Sequence, residues 1–246
     1  MEEKVVLSPK QKALQINLDN NIYGTMVEIG AGQEVARQFF RAGSASGTIA
    51  KTMSAYDKKF SDAIYGKEDD GRYVCESRLE NMLHHEYHLL ETRLNKDDFP
   101  KRKYFAFADT IATINYDKSI KGHGWIGVRF QHNENEKPND IIVHINLHDQ
   151  DAPLQQRTVG ILGTNLLHAC FNSKKPKEII NKLYDNLSRD NLDIDMVKFT
   201  GPNFNKVDNR LLSLTLVKEN MTDSVIFTPD GVSHQASDIV HKKNIL

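Results

Sequence analysis

Apolar and polar positions along the chain change their period from block to block, and those changes divide it into strands and helices. Residues 23–29 (YGTMVEI) read as a short β-prone run. Gly30-Ala31-Gly32 turns it, and residues 33–41 follow as a helix with Val35, Phe39 and Phe40 on the apolar side. Gly43-Ser44-Ala45-Ser46-Gly47 breaks that helix. A second helix is expected from about Thr48, carrying Ile49 and Met53 and ending around residues 60–66. After the charged loop KEDDG, residues 72–95 space Leu79, Met82, Leu83, Leu90 and Leu94 as a helix does.

The middle of the chain alternates. Residues 103–116 are aromatic and β-branched. Residues 125–132 put Ile126, Val128 and Phe130 on one face. Residues 141–148 put Ile141, Val143, Ile145 and Leu147 on one face and Ile142, His144, Asn146 and His148 on the other. An antiparallel meander with one buried and one polar face is expected. Pro153 opens a helix over residues 154–171 that is apolar on most sides, in which Gly160 and Gly163 permit close approach to a neighbour. Pro176 opens another, with a stripe of Ile179, Ile180, Leu183 and Leu187. Residues 192–200 form a strand, Asp208 is an N-cap for residues 209–220, and residues 223–228 form a last strand before the turn Pro229-Asp230-Gly231.

These elements predict an α/β protein, with α+β as the other option: a mixed sheet including an antiparallel meander, flanked by helices. Residues 1–22 read as a polar lead-in, and residues 23–246 as one α/β domain with a sub-boundary near residues 97–102.

Composition narrows the function classes. Acids and bases nearly cancel, at a formal net charge of −1, so no global field attracts nucleic acid or an anionic membrane. The two cysteines, Cys75 and Cys170, form no zinc or disulfide spacing, and a reducing compartment fits them. The start of the chain lacks the apolar core of a secretory signal, and no run of ~18 apolar residues predicts a membrane span. A cytoplasmic location, no membrane partner and no nucleic-acid partner are expected.

Several long blocks carry a family resemblance: GAGQEVARQFF, GTIAKTMSAYD with SDAIYG, HGWIGVRFQ, IIVHINLHD, LQQRTVGILGTNLLHACF and FTGPNFNKVDNRLLSLTLV. Together they run over nearly the whole chain. They resemble a poorly characterised bacterial family of soluble proteins whose members often carry the labels nicotinate- or nicotinamide-nucleotide adenylyltransferase, or TonB-dependent receptor. The second label implies a barrel pattern that this sequence lacks. The first implies nucleotidyl transfer, which in such enzymes uses an HxGH motif. Here the nearest string, Gly122-His123-Gly124, has no second histidine. Members of the family continue past the segment matching residues 242–246, so the chain is expected to represent a front domain or a short member.

Five places could carry chemistry. Gly30-Ala31-Gly32, between a strand and a helix, resembles a dinucleotide turn. Glu34 in the first helical turn opposes a bound phosphate, however, and a tight strand–helix turn explains the same residues. Residues 43–52 (GSASGTIAKT) offer Ser44, Ser46, Gly47 and Thr48 at an expected helix start free of acids, with Lys51 one turn in. This is the stronger expected anion cradle, and a packed junction of small residues is its alternative. His84, His88 and Glu91 share a helical face at metal-ligand spacing but equally make a solvated face, and no metal is assigned. On the polar face of the meander, Trp125 and Arg129 would bind the ligand, while His144, His148 and Asp149 would supply acid–base catalysis. A wet sheet face or subunit interface is the alternative there. Asp193 and Asp195 share a strand face that could hold Mg²⁺ or be an edge.

The sequence reading is therefore a binder of a small anionic ligand, such as a nucleotide, with the cofactor left unassigned. Its rival is a non-enzymatic assembly or partner-binding module, and a homo-oligomer suits either.

Overall fold

The computed structural model describes residues 6–94 and 100–235. Its centre is a six-stranded mixed sheet in the order β2-β1-β3-β4-β5-β6. The strands are β1 (Ile22–Gly30), β2 (Ile49–Ser54), β3 (Lys103–Ala112), β4 (His123–Phe130), β5 (Asn139–Leu147) and β6 (Leu192–Thr200). β1 runs parallel to both β2 and β3, whereas β3 to β6 alternate as an antiparallel meander. A two-stranded ribbon, β7 (Ile226–Phe227) and β8 (Ser233–His234), forms a separate sheet beside β6 and α7. The α/β class and the mixed sheet with its meander stand as expected.

Helices cover both faces. On one side lie α1 (Pro9–Asn17), α2 (Gln33–Ala42), α5 (Ala152–Asn172), α6 (Pro176–Leu183) and α7 (Asn209–Lys218), around the larger apolar core. On the other lie α3 (Lys58–Tyr65) and α4 (Glu76–Arg93), packed on Val27, Ile29, Ala108 and Trp125. α5 is the central helix, as its all-round apolar pattern predicts. Its two glycines bring α2 in: a Cβ on Gly160 would lie 2.7 Å from Glu34 Cβ, and one on Gly163 would lie 2.5 Å from Val35 Cγ2. α2 contributes Val35 and Phe39, both fully buried, each worth about 2 kcal/mol of transfer free energy.

The expected lead-in contains a helix. α1 is N-capped by Ser8 in a capping box with Gln11. It buries Ala13 and Ile16, together with two polar side chains, Lys12 and Asn17. Lys12 Nζ donates to Asn165 Oδ1 (2.7 Å) and Asp185 Oδ2 (2.6 Å). Those buried polar residues are why the segment reads as solvated in sequence.

The helix expected from Thr48 is instead the edge strand β2. Its residues pair in parallel with β1, from Gly24 opposite Ile49 to Glu28 opposite Ser54. The expected polar face of the meander is also covered. Trp125, Ile142 and His144 are all buried on it, because α4 and the loop before it pack against that side. Part of the sub-boundary expected near residues 97–102, the helix end at Asn95 and the chain end at residues 242–246 lie outside the described residues.

Candidate functional site

The chain path creates one special position in the sheet. From the end of β1 it passes through α2 on one face to reach β2. From β2 it returns through α3 and α4 on the opposite face to reach β3, on the other side of β1. The connections thus diverge between β1 and β3. At such a switch point the loops part beyond the carboxyl ends of the strands and leave a crevice, which is where open α/β sheets bind ligands.

A cleft of about 360 Å³ occupies this position. Ile29, Gly30 and Ala31 come from the β1 end, Gln33 from α2, and Ile111, Ala112 and Thr113 from the β3 end. Tyr56 and Tyr73 flank it from two loops, and Gln156 of α5 closes it. Gly30 is required here. It has φ +94°, and a Cβ would lie 1.9 Å from the Ile111 carbonyl oxygen. Gln33 Nε2 donates back to the Gly30 carbonyl at 2.7 Å and lies 3.3 Å from Ser54 Oγ. Thr110 Oγ1 donates to the Tyr73 carbonyl at 2.5 Å, fixing the loop on the far wall.

Beneath the cleft lie two acids. Glu28 on β1 and Asp109 on β3 are register partners in parallel strands, and both are buried. Asp109 abuts the start of α2: a Cβ on Gly32 would lie 1.8 Å from Asp109 Oδ2. Among the described residues, neither Asp109 oxygen has a hydrogen-bond partner. Burial, with the neighbouring Glu28 charge adding to it, pushes the Asp109 carboxyl well above the usual carboxylate range. Burial likewise raises Glu28 to about 7, against a smaller lowering effect of its hydrogen bond with Ser54.

Glu34 does not oppose an anion in the way its sequence position suggests. Its carboxylate turns along the helix to Arg37 (2.6 Å), with Arg41 at 3.9 Å. The first turn of α2 is therefore locally compensated, and its amide groups retain the positive end of the helix dipole.

The residues singled out in sequence separate into several places. Ser44 sits in a left-handed conformation ahead of a short 3-10 turn over Ala45–Gly47. Thr48 is buried and donates to the Asn17 carbonyl at 3.3 Å, and Asn17 donates in turn to the Gly43 carbonyl at 2.7 Å. Ser46 and Gly47 belong to this junction with α1, which presents no α-helix start. Lys51 reaches from β2 to Glu86 of α4 at 2.5 Å, and Glu86 also accepts from the Tyr65 hydroxyl at 2.9 Å.

On the meander, Trp125 and His144 pack at 4.7 Å between ring centroids. His144 Nδ1 meets Asp195 Oδ1 at 2.6 Å, while its Nε2 is buried without a partner among the described residues. Arg129 is not part of that patch. It pairs with Asp140 at 2.6 Å and lies over Tyr87, with His84 Nε2 at 3.1 Å. His148 Nδ1 meets the Arg189 carbonyl at 2.7 Å. Asp149 accepts from Thr158 Oγ1 at 2.7 Å and so ties the β5 end to α5. Asp193 is held by Arg189 at 2.9 Å. His84 and His88 are exposed on α4. Among the described residues no three His, Cys, Asp or Glu side chains converge as a metal site would need. Burial raises the Cys75 thiol, which makes it a poor nucleophile.

Glu28 and Asp109 were missed in sequence. The available signal was an acid inside an otherwise apolar strand, in MVEIG and again in FAFADTIA.

No protein-family model matches the chain. No curated protein matches its sequence. Among solved structures it is similar to the competence/damage inducible protein CihA from Agrobacterium tumefaciens, at 15% identity and TM-score 0.46 over 68% of this chain and 99% of that one. It is also similar to a competence-damaged protein (CinA) superfamily protein from Enterobacter cloacae, at 11% identity and TM-score 0.47 over 69% and 95%. A CinA superfamily protein from Klebsiella pneumoniae gives 9% identity and TM-score 0.45 over 65% and 93%. Within the described residues, no helix is long and apolar enough to cross a membrane.

Proposed function

We propose that this protein binds a small anionic molecule, of the size and chemistry of a nucleotide, in the cleft between the ends of β1 and β3. The observation that carries this reading is the coincidence of an open cleft with the topological switch point. The Gly30-Ala31-Gly32 turn and the α2 amides offer an anion site without a lysine or arginine. Tyr56 and Tyr73 offer flat, polar-tipped faces for a ring. Gln33, Thr113 and Gln156 supply orienting hydrogen bonds.

Binding is the level the residues support. Nucleotidyl transfer, implied by the family resemblance, would need phosphate-activating groups, and among the described residues the cleft lining has neither a histidine nor a cation. The test is a thermal-shift panel of nucleotides and inorganic anions on wild-type and Tyr56→Ala protein. A ligand that binds only the folded state raises the midpoint. A wild-type shift that shrinks in the variant supports the cleft; no shift with any anion contradicts it.

A second reading, a partner-binding module, rests on α7. Its Leu211, Leu214 and Val217 are exposed at 64%, 49% and 36%, an apolar row at helical spacing. Sedimentation of wild-type and Leu211→Asp protein tests it: loss of a concentration-dependent assembly in the variant supports the reading, and a monomer in both contradicts it.

A further inference from the structure

The cleft has an unusual floor. An anion placed at the start of α2 would lie above two buried carboxyl groups, and among the described residues that line the cleft no cation stands between them and the ligand. Asp109 is fully buried with both oxygens unpartnered among the described residues. Gly32 lets the first turn of α2 close directly over it. Ionised, the pair would repel an anion through a medium of low dielectric, where unscreened charge acts over a longer distance than in water. Neutral, it leaves the α2 amides free to act.

We propose that anion binding in the cleft is coupled to protonation of the Glu28–Asp109 pair, so that ligand and proton are held together. This rests on the proposed binding function and adds to it how the site is controlled.

Among the described residues, few other charges bear on the pair. On α2, Glu34 is turned to Arg37 and Arg41. On β2, the neighbour is the uncharged Ser54. From α3, Tyr65 senses the Glu28 charge, but its hydroxyl is committed to Glu86. From α5, the groups at this corner are Gln156 and Gly160, and from the loops Tyr56 and Tyr73. Glu28, raised to about 7, is the member that titrates near neutrality. It binds its proton below that pH and releases it above.

The experiment uses sulfate, which does not itself titrate between pH 6 and 8, followed through the backbone amide resonances of Ala31, Gly32 and Gln33. Wild-type affinity should fall about tenfold from pH 6 to pH 8, as one linked proton with a midpoint near 7 requires. Glu28→Gln, permanently neutral, should bind with little dependence on pH. Sulfate binding at these amides with a flat wild-type profile would overturn the coupling and leave the binding site standing. So would an unchanged slope in Glu28→Gln. No sulfate response at these amides at any pH would overturn the binding site itself and the coupling with it.

Discussion

Glu28 and Asp109 face each other across β1 and β3 as register partners, under the first turn of α2. Two buried acids with no cation between them among the described residues are costly when charged, so the protein holds protons there that the unfolded chain would release.

That difference has a sign. Glu28 rises from its ordinary 4.5 to about 7. Between those values the folded protein binds the extra proton, so stability is fully present below about pH 4.5 and is lost as pH rises through 7. At 1.36 kcal/mol per unit, the loss from this group is about 3 kcal/mol. Urea denaturation at pH 5 and pH 8 should show Glu28→Gln losing less stability than wild type over that span. Identical losses would contradict the assignment.

Gly32→Ala should destabilise by about 2–4 kcal/mol, because its methyl must displace Asp109 Oδ2 from 1.8 Å. Shortening the acid should relieve the clash. Gly32→Ala with Asp109→Ala should therefore be more stable than the sum of the single changes predicts, by about 1 kcal/mol or more. Strict additivity in denaturant titrations would contradict the contact.

Lys12→Met should cost about 3 kcal/mol, since it strands Asp185 and Asn165, which share its ammonium group. Adding Asp185→Asn should recover part of the loss. A Lys12→Met protein as stable as wild type would show that α1 does not depend on this contact.

Tyr56→Ala removes a side chain that is 75% exposed. Its effect on stability should stay within about 0.5 kcal/mol, while affinity for a ring-bearing anion falls several-fold. Equal calorimetric affinities would remove Tyr56 from the site.

The elements were largely legible, because periodicity is local. YGTMVEI, the meander and the apolar α5 appear in the structure as strand, sheet and central helix. Two local readings failed for identifiable reasons. β2 is a short edge strand whose Ala50, Lys51 and Thr52 are exposed, so it carries no buried alternation. α1 hides its packing face behind Lys12 and Asn17, which are buried through hydrogen bonds.

The site was legible only as fragments. Its first turn, Gly30-Ala31-Gly32, is visible in sequence, whereas the compensation of the Glu34 charge by Arg37 and Arg41 is a feature of side-chain geometry. The switch point depends on strand order, which brings residues 28 and 109 together and which no local pattern encodes. Trp125 and Arg129 share a face of β4 under α4 but have different neighbours: Trp125 packs on His144, whereas Arg129 pairs with Asp140 and lies over Tyr87.

The most direct measurement is a titration of isotopically labelled protein with ADP at pH 6, read at single amides. The cleft account predicts saturable shifts at Ala31, Gly32, Gln33 and Thr113, with Ser46, Gly47 and Thr48 unmoved. Shifts confined to Ser46–Thr48 or to the Trp125 indole, or no saturable shift anywhere, would contradict it.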